Sequence, residues 1–143
     1  MSQALDRLKN LANKISSYEI TRKENLVRLE ELFIELHIDE KVGEFRDIFE
    51  FKAVNLTGIS LSKESLGEIS ADKYLQILAI SYDKDAKVKS KNVSLGYFGK
   101  VGRVDEKLRA KIVEFVIRFR FEKSFMTLES YFQMLEIIKK GSR

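Results

Sequence analysis

At 143 residues, with 44% hydrophobic and 34% charged side chains, the chain has the size and composition of one globular domain over 1–140. It has no Cys and one histidine, His37, which excludes disulfides, thiol nucleophiles, thiolate metal sites and multi-histidine metal centres. The net charge of +4 permits an anionic partner without requiring one, and no apolar run reaches the roughly eighteen residues of a membrane span.

The first fifteen residues lack the layout of a signal peptide, so a cytoplasmic protein with no membrane partner is expected. Ser2 can cap a helix with Ala4, Leu5, Leu8, Leu11, Ala12 and Ile15 on one face. Ser16-Ser17 loosens its end. Thr21 opens a capping box with Glu24, and the helix it starts carries Leu26, Leu29, Phe33 and Leu36 on a stripe. These read as two amphipathic helices in an antiparallel hairpin, serving either as walls of the core or as a dimerisation or partner-binding arm.

From Asp39 to Gly58 the helical spacing of Val42, Phe45, Phe49, Ala53 and Leu56, ended by glycine, predicts a third helix. A strand over Ile48–Val54 is the alternative. That strand would align Glu50 and Lys52 as in E-x-K metal-dependent nucleases, but an upstream aspartate at the needed distance is missing. On a helix the two side chains diverge by about 200°. Next, Ala53, Gly58 and Ile59 are similar to the turn of a helix-turn-helix. That likeness implies a second helix after Ser60 or Ser62 carrying Lys63, Ser65 and Glu68. The sequence departs from the motif: Gly58 stands one place late and Glu64 occupies the expected aliphatic position. The other reading is a loop with one short capped helix.

Residues 70–82 fit a buried helix or a buried strand equally, since a short apolar run has no decisive period. The most polar stretch follows. Lys84, Lys87, Lys89, Lys91, Lys100 and Arg103 surround Tyr97 and Phe98, which lie between Gly96 and Gly99. Lysines release counterions from a phosphate backbone and aromatic rings stack on bases, so this stretch is the candidate nucleic-acid contact. If 74–82 pairs with 93–98, its tip resembles the wing of a winged helix-turn-helix. The alternative is a solvated loop with Tyr97 and Phe98 turned inward as an apolar plug.

Val104–Phe121 has the densest apolar content. Leu108, Ile112, Phe115, Val116 and Phe119 recur at helical spacing, which predicts the central helix of the core, capped by Asp105. Phe121–Phe125 is expected to end or bend it. Thr127 then caps a last helix with Leu128, Tyr131, Phe132, Leu135 and Ile138 on one stripe. Arg109 and Arg120 either extend the basic surface or cover the central helix with their stems. Gly141-Ser142-Arg143 reads as a cloning scar.

The expected architecture is mainly α, a single-domain bundle of five to six helices with one small β-hairpin; the alternative class is α+β. Two functions are expected from different classes. One is a small regulatory protein that binds DNA or RNA through Lys84–Arg103, Arg109 and Arg120. The other is an interaction module that binds a protein partner, or a second copy, through helical faces. No cofactor or catalytic residue is expected, and an enzyme ranks third: there is no phosphate loop, histidine cluster or strained serine elbow.

Overall fold

The computed structural model describes residues 2–82 and 90–141, with nothing drawn from the side chains of Ile15, Ser16 and Ser90. Two long helices pack against one face of a three-stranded antiparallel sheet. In chain order the elements are α1 (Ser2–Glu35), α2 (Asp39–Val42), β1 (Ala53–Thr57), β2 (Tyr74–Tyr82), β3 (Ser90–Lys100) and α3 (Glu106–Gly141). Tight 3-10 turns span Phe45–Glu50, Lys63–Ser65 and Val101–Arg103. The sheet order is β1-β2-β3. This is an α+β fold, which corrects the expected five-to-six-helix bundle and agrees with the alternative class.

The correction has three physical sources. First, 74–82 is a strand. Leu75, Ile77 and Ala79 are fully buried, alternating with half-exposed Gln76, Leu78 and Ile80. Pairing on both edges supplies what the short run could not signal: β1 joins through Ala53↔Ile80 to Thr57↔Gln76, and β3 through Tyr74↔Lys100 to Tyr82↔Ser90. The expected hairpin therefore exists, though its tip lies outside the described residues.

Second, the predicted 39–58 helix stops at one turn. Gly43 takes φ +91°, and the chain enters a 3-10 turn that buries Ile48 completely. The spacing that suggests a long helix instead places Phe45 and Phe49 edge to face at 5.4 Å, with Phe49 stacked on Phe119 at 5.9 Å. Ala53 lies in β1, so the first helix of a helix-turn-helix is absent and the likeness fails. The candidate second helix is a 3-10 turn over Lys63–Ser65. Glu50 closes the earlier turn and Lys52 precedes β1, so no strand aligns the E-x-K pair.

Third, the two expected N-terminal helices are one of 34 residues, and the two C-terminal helices are one of 36. A serine pair lowers helix propensity by only about half a kcal/mol per residue, and proline is missing from the chain. Within α3 the hydroxyls at the expected break, Ser124 and the expected cap Thr127, bond backward instead. Ser124 Oγ donates to the Phe121 carbonyl at 2.6 Å, and Thr127 Oγ1 to the Lys123 carbonyl at 3.0 Å. Asp105 does cap α3: its Oδ2 accepts the Lys107 N–H at 3.2 Å.

The core lies between the inner sheet face and the facing halves of α1 and α3. Ile112, Phe115, Val116 and Phe119 of α3 meet Leu29 and Leu32 of α1 and Leu75 and Ile77 of β2, all essentially without exposure. Each such side chain contributes roughly 1.5–3 kcal/mol by leaving water. Val104–Phe121 is thus the central post of the core.

Candidate functional site: two helical arms and the sheet's open face

A polar ladder fixes how α1 and α3 meet. Arg22 Nε and a terminal nitrogen donate to buried Glu122 at 2.7–3.2 Å. Arg22 also pairs with Glu129. The hydrogen bond to Glu122 raises the Arg22 pKa against the opposing effect of burial. Fully buried Asn25 donates to the Arg118 carbonyl at 3.0 Å and accepts from the Arg118 guanidinium at 3.0 Å. Arg28 and Arg118 both donate to Glu114, and Lys111 reaches Glu35 at 3.5 Å. Burial pushes Glu114 up, but the hydrogen bonds from Arg28 and Arg118 more than offset it and hold the carboxyl below its ordinary value. The same hydrogen bond holds Arg28 above its own. These contacts admit one register, because any slip would strand a buried polar group.

The ladder ends at Tyr18, whose ring meets Phe125 edge on at 4.8 Å. Beyond that point both helices continue as arms. Every residue from 2 to 14 and from 126 to 141 is exposed. At about 1.5 Å per residue, the arms run on for roughly 20 and 24 Å. Counted outward along each helix from the Asn25–Arg118 and Tyr18–Phe125 pairs, Leu5, Leu8 and Leu11 come level with Ile138, Leu135 and Phe132. Yet Leu8 is 64% exposed, Phe132 64% and Ile138 63%. On α3 the apolar side chains from Leu128 to Ile138 cover an arc of about 220° at 100° per residue. One neighbouring helix covers about half of such an arc.

The outer face of the sheet is solvated. It carries Tyr74, Gln76, Tyr97 and Lys100, with Tyr74 and Tyr97 stacked at 6.0 Å and both more than half exposed. Gln76 Nε2 donates to Ser94 Oγ at 2.8 Å beside them. At the far end Lys52 lies 5.3 Å from the ring centre of Tyr82.

A groove of about 590 Å³ runs on the other side of α3. Ile59, Leu66, Val113, Ile117 and Phe121 form its apolar walls. Arg109 lines it with a buried Nε that has no hydrogen-bond partner among the described residues.

The residues singled out from the sequence therefore scatter. Lys84, Lys87 and Lys89 lie outside the described residues. Tyr97 and Lys100 share the open sheet face, and Arg103 is exposed in the turn that follows. Lys91 is exposed at the opposite end of β3. Phe98 folds against the core, its ring covering Gly96 so closely that a Cβ there would lie 2.9 Å away. Arg109 belongs to the groove. Arg120 donates to the Val54 carbonyl at 3.2–3.3 Å and to Asn55 Oδ1 at 3.2 Å, tying α3 to β1. Lys123 Nζ donates to the Phe49 carbonyl at 2.7 Å, and burial holds its pKa below the usual lysine value. Sequence reasoning reached both arm stripes and left the N-terminal pair open between walls of the core and a partner-binding arm; the excess of the stripes over what two helices hide was the available signal. Among the described residues no group of three or more acidic, His or Cys side chains is placed to hold a metal, and no helix is long and apolar enough to cross a membrane. Comparison with protein-family models, with curated proteins and with solved structures finds no match to this chain.

Proposed function

We propose that this protein is a non-enzymatic interaction module whose docking element is the pair of helical arms, residues 2–14 and 126–141. One observation carries this reading: two register-matched apolar stripes continue past the body with most of their area in water. Contiguous exposed apolar surface of this size marks an interaction site. The test is a photo-crosslinking residue placed singly at Leu8, Leu135 or Lys91 in the full chain. Adducts of defined mass from Leu8 and Leu135, with none from Lys91, are the expected result. Adducts from Lys91 alone would end the proposal.

A second reading rests on the open sheet face. Stacked Tyr74 and Tyr97 beside Lys100 form a platform of the kind that holds single-stranded bases. Binding of a mixed-sequence single strand at low salt, lost in Tyr97→Ala and steeply weakened by added salt, would establish it. No binding at low salt would remove it.

A further inference from the structure

We infer that the occupant of the arms is a second copy of this chain, the two pairs of arms closing into a four-helix bundle about a twofold axis. The inference rests on the reading of the arms as the docking element and goes further by naming what covers them.

Four observations favour a second copy. The first is geometric. The apolar arc of Leu128–Ile138 is about twice what one neighbour covers. In a four-helix bundle each helix touches two neighbours, and a second pair of arms supplies the missing one. The second is area. About ten large apolar side chains on the arms stand roughly half exposed, near 100 Å² each for side chains of this size. That is on the order of 1,000 Å² per protomer, against the roughly 800 Å² per partner of a standard stable interface. The third is charge. Residues 2–14 carry Arg7, Lys9 and Lys14 against Asp6, while 126–141 carry Glu129 and Glu136 against Lys139 and Lys140. A basic arm and an arm of balanced charge on one chain meet the same pair on another without setting two arms of like net charge against each other. The fourth is composition of the stripes. Leu5, Leu8, Leu11, Leu128, Phe132, Leu135 and Ile138 bring no polar group, Tyr131 brings one hydroxyl at the tip of an apolar ring, and Asn10, Asn13 and Gln133 lie off the stripes. Because the same patch faces itself, the contact is isologous and closes at two copies.

The test is the mass of the full chain by light scattering, from about 1 to 100 μM. Alongside it are measured Leu8→Glu, the double variant Phe132→Glu/Leu135→Glu, the off-stripe control Gln133→Glu and the α1 body variant Val27→Glu. Twice 16.6 kDa is expected for wild type, Gln133→Glu and Val27→Glu. The arm variants should halve to 16.6 kDa. All the altered side chains are exposed on the single chain, so folding of the body is retained; hydrogen exchange at Ile112–Phe119 checks it and stays at wild-type protection. A variant that loses this protection is replaced by Leu8→Gln, read by the same mass.

A wild-type mass of 16.6 kDa at every concentration overturns the second copy. If that monomer still forms arm crosslinks to a different protein, the arm reading stands without it. If it forms none, both fail. A dimer that survives both arm variants but is lost in Val27→Glu also overturns the inference, since the interface would then be the exposed Ile20, Val27 and Ile34 spaced a heptad apart on α1.

Discussion

At Gly58 the backbone turns out of β1 with φ +90°, and a Cβ would sit 2.9 Å from the Tyr74 carbonyl oxygen. Gly58→Ala therefore meets both backbone strain and a clash with a paired strand, and is expected to cost about 1–3 kcal/mol in urea denaturation. Glu122 makes a sharper case. It is 3% exposed and compensated by Arg22. Arg22→Met alone should cost about 3–5 kcal/mol by leaving a buried carboxylate, whereas Arg22→Met with Glu122→Leu should recover most of it. Additive losses in that double-mutant cycle would refute the pairing. Glu114 sets a pH dependence of defined sign. Its folded pKa is depressed, so its stabilisation is fully present above the unfolded value of about 4.5 and is lost as pH falls through the folded value. Denaturation midpoints should drop between about pH 5 and 3, and drop less in Glu114→Gln.

The elements show what was legible in the sequence. The central helix was legible because Leu108, Ile112, Phe115 and Phe119 repeat over enough turns to outweigh any other period. Its cap, Asp105, was legible for a local reason: a short acceptor reaches a nearby N–H. Strand β2 was not legible, because Y-L-Q-I-L-A-I-S-Y owes its conformation to strand partners 8 to 27 residues away. The continuity of α1 and α3 was hidden by Ser16-Ser17, Ser124 and Thr127, which can cap a helix or sit within one depending on the packing around them. The arm stripes were visible as stripes, but whether water or protein covers them is a tertiary property. Arg120 illustrates the same limit: from sequence either part of a basic surface or a stem covering the central helix, in the fold a hydrogen-bond donor to the edge strand β1. Arg120→Ala should cost about 1.5–3 kcal/mol, the worth of a charged hydrogen bond at a part-buried carbonyl, and leave the open sheet face unchanged by NMR.

The whole molecule divides its stability unevenly. The body rests on a core that includes Phe115, and Phe115→Ala should cost about 3–5 kcal/mol with an unchanged denaturant slope. The arms have no such core. Segments of this length are marginal helices alone in water. Their order therefore depends on what they meet, and mass action makes that dependence measurable. Diluting the protein from about 100 to 0.1 μM should lower its helical circular-dichroism signal through the arms and leave the exchange protection of Ile112–Phe119 intact.

The ladder between α1 and α3 also has a consequence for biogenesis. Arg22 and Glu122 are 100 residues apart in sequence. At about 5–20 residues per second, α1 is synthesised some 5–20 s before the helix that satisfies it. During that interval Leu29, Leu32 and Phe33 lack their α3 partners, and the sheet that completes the core is also unfinished. Folding of this chain is thus gated by its last helix rather than its first. Nascent chains stalled before Glu106 should be held by chaperones or digested by protease, and those extended past Phe125 should be released and resistant.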